Sequence, residues 1–463
     1  MTLILESFNS TRMLIYHQFK KFLPSPPWRL WSCSVHCHTV SEVVLQLSDH
    51  KGPSNNQVIK RRRKERPSCP SVLDRFDEQY SQELGDLWAS SRAVLLDPHS
   101  WQYGVMLNRF SAVTDITQIL QSQGFSSLLL QTHVSRVISN APPIASNTKY
   151  KAGNESLLPT TYVSKCPRDD GTTNAFSQEL QLESSLSLSR PSLQCYIHPY
   201  PLWFPSQAHR PGQLKQYYLL NAASLLPVLA LHVRDGEKVL DLCSAPGGKA
   251  IAMMQCAKPA LLCCNEPDPH RRDWLSRTLE SFLPHSLNTR VIVSAQDGRY
   301  FGQHEAGTYD KVLVDAPCSN DRSWLYSSSS QQGEQRLKER SMLPALQAQL
   351  LRSAMSAVRP GGVVVYSTCT LSSSENFAVV ETVLNDCPEA ELEDLWEEIA
   401  IPLSKYFTFS PAHPDHGQTL HKPPLQPQNS TLSSYQHRLG ILVVPQPGKT
   451  WGPMFLSRIR RRK

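Results

Sequence analysis

The stretch Lys238-Val239-Leu240-Asp241-Leu242-Cys243-Ser244-Ala245-Pro246-Gly247-Gly248-Lys249 reads as a strand that breaks into a glycine loop and then a helix. Val239, Leu240 and Leu242 are apolar without alternation, as in a strand buried on both faces. Gly247 and Gly248 remove side chains where a ligand must approach the backbone. The helix after them begins with free N–H groups. Four further apolar runs follow: ALLCCNE at 260–266, TRVIVS at 289–294, DKVLVDA at 310–316 and GGVVVYS at 361–367. Helical patterns separate most of them, such as Leu346, Leu350, Leu351, Ala354 and Val358. This alternation predicts an α/β fold: a Rossmann-like, doubly wound, mostly parallel sheet covered by helices. In such sheets ligands sit beyond the carboxyl ends of the strands.

The glycine loop has neither the Gly-x-Gly-x-x-Gly nor the Gly-x-x-x-x-Gly-Lys-Ser/Thr pattern, which argues against a pyrophosphate ligand. Acids stand at successive strand ends instead. Asp241 closes the first strand. Glu266 follows the second, where an acid takes the hydroxyls of a ribose. Asp297 follows the third, in Gln296-Asp297-Gly298, placed to reach an adenine amino group. Together they point to an adenosine-bearing cofactor without phosphates. S-adenosylmethionine fits, because its sulfonium cation prefers a site lined with carboxylates.

Asp315-Ala316-Pro317-Cys318 ends the fourth run and Thr368-Cys369 ends the fifth. Neighbouring strands would bring these two tips together beside the cofactor. Methylating a pyrimidine carbon needs this equipment. C5 of cytosine is a poor nucleophile, but a thiolate adding to C6 turns the ring into an enamine whose C5 attacks a methyl group. An acid at N3 stabilises the charge on the ring, and Asp315 stands in place for it. A second thiol assists release. The residues alone leave open which cysteine attacks. An amino-group methyltransferase is expected to show Asn/Asp-Pro-Pro-Tyr/Phe at the fourth tip, where this chain has Asp-Ala-Pro-Cys. No His/Asp cluster accompanies the site, so no metal is expected.

The 463 residues carry 40% apolar residues, 35 prolines and a net charge of +7. Basic runs at Lys60–Arg66 and Arg458–Lys463 suit phosphate contacts or an import signal. The twelve cysteines are irregularly spaced, several inside apolar runs, which indicates a reducing compartment rather than a disulfide framework. No segment reaches the ~20 apolar residues needed to span a bilayer, so no membrane partner is expected. Residues 1–69 read as a disordered leader and basic linker, basic and poor in acids as organellar transit peptides are. Residues 70–139 read as a small N-terminal helical region, with helices over Val72–Leu96, Trp101–Phe110 and Asp115–Gln123. Residues 140–210 read as a low-complexity insert and linker, and 211–463 as the catalytic domain with a flexible insert near 410–436.

DLCSAPGGK, NE, QDG, VDAPCS and YSTCTLSSSEN together resemble the motif series of the Sun-domain RNA cytosine-5 methyltransferases, over about residues 211–463. The resemblance implies a class I S-adenosylmethionine-dependent methyltransferase. It implies that Cys369 attacks C6 and that Cys318 assists product release; with the N3 role already read for Asp315, these three are the expected catalytic residues. By position, the cofactor contacts become Cys243, Ser244, Ala245, Pro246, Gly247, Gly248, Lys249, Glu266, Asp297 and Asp315. Most members follow Pro-Cys-Ser with Gly-x-Gly; here Asn320-Asp321-Arg322 stands there, which resembles the mitochondrial branch of the family. That branch implies a monomer in the mitochondrial matrix acting on an RNA, with the wobble cytosine of methionine tRNA as the expected target. An anticodon loop offers an unstacked base at low cost. The helical region would then contact the RNA. Two alternatives stay open: a mitochondrial ribosomal RNA as substrate, or a catalytically silent RNA-binding assembly factor on the same fold. Intact Cys369, Cys318 and Asp315 argue against the second.

Overall fold

The computed structural model describes residues 69–129, 193–210, 212–326, 330–411 and 438–463. The expected leader, most of the insert at 140–210 and the insert near 410–436 lie outside these residues.

Two sheets organise the described chain. The smaller is antiparallel, built from β1 (Gly104–Leu107), β2 (Ser126–Ser127), β3 (Cys195–Ile197) and β4 (Tyr217–Leu220), in the order β2-β3-β1-β4. The larger begins with β5 (Lys238–Asp241), β6 (Leu261–Asn265), β7 (Val291–Ser294), β8 (Tyr309–Asp315) and β9 (Val358–Thr368). It continues with β10 (Ala390–Glu393), β11 (Phe409–Pro411), β12 (Ile441–Val443) and β13 (Met454–Arg461). Its order is β11-β12-β13-β9-β8-β5-β6-β7, with β10 paired to β13. The five strands read from the sequence are the parallel part, β7-β6-β5-β8-β9. The later strands extend it antiparallel, β13 running along the length of β9. The strand order reverses between β5 and β8, the position where such sheets open a crevice for ligands.

The continuous apolar runs have a simple cause. Successive side chains of a strand point to opposite faces, and both faces are covered. Val239, Leu313, Val363 and Val365 pack on one side with Ile251, Met253, Leu275 and Leu279. Those partners come from helices Gly248–Cys256 and Pro269–Phe282. Leu240, Val312, Val314, Val364 and Tyr366 pack on the other side with Leu350, Leu351, Met355, Val379 and Val383. Those belong to helices Ser330–Ala357 and Phe377–Asp386.

The N-terminal region is not a separate helical unit. Helices Pro70–Leu84 and Asp86–Leu96 break at Gly85, whose φ is +54°. Val72, Phe76, Tyr80, Trp88 and Leu95 are buried in the second face of the large sheet. Helix Thr114–Ser122 matches the third expected helix. The expected helix over Trp101–Phe110 is instead β1, buried at all four residues and bonded to β3 on one side and β4 on the other. A short run buried on both sides shows no alternation, so its period does not separate strand from helix. Likewise, the tail of the expected linker is ordered: β3 lies within 193–210. β4, placed with the catalytic domain from the sequence, belongs to the small sheet.

Candidate active site

The loop after β5 is shaped by its own residues and by one neighbour. Ser244 N donates to Asn265 O at 2.9 Å, and Ser244 Oγ donates to Asp241 Oδ2 at 2.9 Å. Gly247 has φ +105°, a conformation that suits glycine and turns the chain into helix Gly248–Cys256. A Cβ on Gly248 would lie 3.0 Å from the Tyr218 ring, so the aromatic ring from β4 sits directly on the loop. Asn265 ties the strand ends together: its Nδ2 donates to Leu242 O and Gln296 O, and its Oδ1 accepts from Gln296 N.

The expected cofactor residues share one edge of the sheet. Registers pair Asp241 with Cys264 and Leu313, and Asn265 with Ser294. Cys243 to Lys249, Glu266, Asp297 and Asp315 therefore follow adjacent strand ends. Glu266 is buried, with Oε2 3.3 Å from Arg271 Nη1 and Oε1 accepting from Asp268 N. Burial raises its pKa, and Arg271 opposes that. Asp297 is more exposed and accepts from the Nε, Nη2 and backbone N of Arg299. Asp241 is 1% exposed; burial pushes its pKa up to about 7, against the hydrogen bond from Ser244. Among the described residues its Oδ1 has no partner. A buried orphan acceptor beside a glycine loop, with two further acids at the same edge, fits a ligand that brings donors or positive charge.

The other half of the site comes from the tips of β8 and β9. Cys318 Sγ and Cys369 Sγ are 3.2 Å apart, and Cys369 N donates to Cys318 Sγ at 3.3 Å. The sulfur contact and burial raise the Cys318 pKa well above the usual thiol range. Asp315 Oδ2 accepts from Lys249 Nζ at 2.7 Å, and Oδ1 accepts from Ser367 Oγ at 2.9 Å. Burial opposes the Lys249 charge, but Asp315, its hydrogen bond and Cys369 outweigh that and raise the lysine pKa. Lys249 thus links the cofactor loop to the cysteines.

Sequence reasoning missed the support beneath the thiols. Asp321, fully buried, accepts from Tyr80 Oη, Thr370 Oγ1 and Leu371 N. Burial raises its pKa to about 6. Glu375, also fully buried, accepts from Ser319 N at 2.9 Å, Ser319 Oγ at 2.6 Å and Gln347 Nε2 at 3.1 Å. Arg340 donates to Tyr80 Oη at 2.7 Å and lies 3.5 Å from Glu375. Arg322, in the segment that departs from Gly-x-Gly, donates to Thr450 O and Gly452 O and stacks 4.3 Å over the Trp101 ring. Burial lowers its pKa to about 10, with Cys369 among the groups that resist the loss of charge. Asn320 has φ +40°, a left-handed backbone that glycine and asparagine tolerate.

Residues 228–419 match the family model described as 16S rRNA methyltransferase RsmB/F. The mitochondrial tRNA (cytosine(34)-C(5))-methyltransferase of Danio rerio is 48% identical over 393 residues, covering 85% of this chain and 88% of that protein. The 5-cytosine rRNA methyltransferase NSUN4 of Xenopus tropicalis is 34% identical, covering 85% and 91%. The fold aligns with a solved methyltransferase homologue from Pyrococcus horikoshii at a TM-score of 0.51 and 20% identity, covering 85% of this chain and 99% of that one. S-adenosylmethionine is the methyl donor, and the loop, the orphan Asp241 oxygen and the acids at the strand ends are the residues that fit it. The chain belongs to the Sun-domain, RsmB/F family of RNA cytosine-5 methyltransferases.

Proposed function

We propose that this enzyme methylates C5 of the wobble cytosine of methionine tRNA in the mitochondrial matrix, as a monomer, through a covalent adduct on Cys369. The observation that carries the chemistry is the pair of sulfurs 3.2 Å apart, on the tips of the strands that also carry Asp315 and its partner Ser367. The substrate reading rests on similarity: the relative at 48% identity is named for cytosine 34 of a mitochondrial tRNA.

Cys318, its pKa raised, keeps its proton. Its sulfur already accepts from Cys369 N, so its S–H is free to donate to the Cys369 sulfur. Lys249 adds a positive charge close by. Both lie at the attacking sulfur of Cys369. Its sulfur bonds to C6, and the C5–C6 electron pair makes C5 nucleophilic. The proton that leaves the Cys369 thiol is shared between Asp315 and N3, whose lone pair needs a donor, with Lys249 balancing the carboxylate charge. S-adenosylmethionine supplies the methyl group that C5 takes. Water takes the C5 proton, the C5–H electron pair forms the C5–C6 double bond, the Cys369–C6 bond breaks with its pair on sulfur, and Cys318 promotes that expulsion by donating its proton to the departing sulfur.

The test is Cys318→Ala protein incubated with S-adenosylmethionine and, separately, mitochondrial methionine tRNA and small-subunit ribosomal RNA, then run on denaturing gels. A shifted band with the tRNA alone, absent when Cys369→Ala is added, is the expected result. A band with ribosomal RNA alone would keep the chemistry and replace the substrate. Cys369→Ala protein that stays folded and retains turnover would remove the assigned nucleophile.

A further inference from the structure

Five consecutive exposed residues, Pro199 to Trp203, leave β3. Tyr200 is 72% exposed, Trp203 55% and Leu202 40%. Large rings presented together to solvent are unusual on a folded surface, and such a patch marks an interaction site. This one is held in place by its surroundings. Phe204, the next residue, is buried and packs edge-on against Tyr217 and Phe125. Tyr217 Oη donates to Pro205 O. At the other end, Gln102 Nε2 donates to His198 O and Pro199 O. Prolines 199, 201 and 205 restrict the backbone between these anchors.

The same Gln102 carries the loop to the edge of the cysteine site. Gln102 N donates to Thr450 Oγ1, and Thr450 N donates to Gln102 Oε1, both at 2.9 Å. Thr450 O in turn accepts from Arg322, whose guanidinium lies on Trp101, the neighbour of Gln102 in the chain. Arg322 is four residues beyond Cys318 and feels the Cys369 sulfur. Its charge is held by two carbonyls and a ring; among the described residues no carboxylate pairs with it. A run of exposed rings and a guanidinium without a carboxylate partner among the described residues thus lie on one continuous structure that ends four residues beyond Cys318.

We infer that Tyr200 and Trp203 form a stacking platform for unpaired RNA bases flanking the target cytosine, with Arg322 meeting the phosphate between platform and pocket. The occupant is single-stranded RNA, because the enzyme acts on RNA, flat rings stack on bases of any sequence, and a cation complements the backbone. The inference rests on RNA methylation and not on which RNA is the substrate.

Full-length Trp203→Ala, Tyr200→Ala and Trp203→Phe proteins would be titrated by fluorescence anisotropy. The probes are an unstructured oligoribonucleotide with a single cytosine, and a blunt RNA duplex. Each alanine change is expected to raise Kd for the single strand about tenfold. The duplex Kd and the S-adenosylmethionine affinity stay unchanged, and Trp203→Phe recovers most of the loss. Unchanged single-strand affinity in both alanine variants would overturn the platform. So would equal weakening for strand and duplex. A fall in melting temperature with no change in Kd would show that the rings cover another part of this chain.

Discussion

The two halves of the site are held in opposite ways. On the cofactor side, two of the acids are braced by their own loops: Glu266 by Asp268 and Arg271, Asp297 by Arg299. On the cysteine side, the braces come from far along the chain. Tyr80 reaches Asp321 across 241 residues, Arg340 reaches Tyr80 across 260, and Glu375 holds Ser319 across 56. A loop that receives a small cofactor can be built locally and repeated from protein to protein. Two thiols that must meet the same ring are set by two different strands, so their spacing depends on whatever locks those strands together. Here that lock is a buried polar cluster, capped by the N-terminal helix.

If that contrast is right, the largest effect of a conservative change lies in the lock. Glu375→Gln keeps the shape but replaces an acceptor by an amide group facing the donors of Ser319 and Gln347. It also removes the carboxylate beside the buried Arg340. Breaking such a network costs about 3 kcal/mol. Because Ser319 adjoins Cys318, kcat should fall by more than the melting temperature alone explains, while S-adenosylmethionine affinity is kept. Denaturant unfolding, a kcat and KM measurement and cofactor titration on one preparation decide it. A loss of cofactor affinity equal to the loss of kcat would show that the two halves are not separately held.

The cofactor side has one group that is not braced well, and it gives the next largest effect. Asp241 is buried with a bare Oδ1, and burial raises its folded pKa to about 7, above the ~3.9 of an unfolded aspartate. Between those values the folded protein binds the extra proton. The stability it contributes is therefore complete below about pH 4 and is lost as pH rises to about 7. In cofactor-free protein, Asp241→Asn should flatten the pH dependence across that window and gain on the order of a few kcal/mol over wild type at pH 8. Parallel wild-type and variant curves from pH 4 to 8 would mean that Oδ1 is already satisfied.

The same contrast separates what the sequence carries locally from what only the fold brings together. The five parallel strands, the glycine loop, Glu266, Asp297, Asp315 and both cysteines stand in short, self-contained patterns. Asp321, Arg340, Tyr80 and Gln347 do not. Tyr80 reads as one more apolar position on a helix, yet its hydroxyl completes the lock. Arg340 and Gln347 read as polar positions on a helix and turn out buried. Their partners are dozens to hundreds of residues away, and no local period encodes that. β1 failed for a related reason: four buried residues between two strands carry no alternation. β10 to β13 are short or polar, and pairing with β9 and β13 defines them more than composition does.

Asn320 gives the smallest effect and the sharpest check, because it is a local device on the non-local side. Its φ of +40° lets the chain turn from Ser319 into the short helix Asp321–Trp324, and its carbonyl accepts from Ser323 N and Trp324 N. Both bonds come from the backbone and need no particular side chain. What the position asks of its residue is tolerance of left-handed backbone, which asparagine and glycine have and alanine lacks. Asn320→Gly should therefore be near neutral in stability and activity, while Asn320→Ala costs about 1 kcal/mol. Gly-x-Gly and Asn-Asp-Arg would then be two answers to one backbone requirement at the first position. The second and third residues of the departure, Asp321 and Arg322, would carry what is different here. If Asn320→Gly costs as much as Asn320→Ala, the asparagine side chain itself has a partner in the reaction, and the departure from glycine begins one residue earlier than the backbone argument places it.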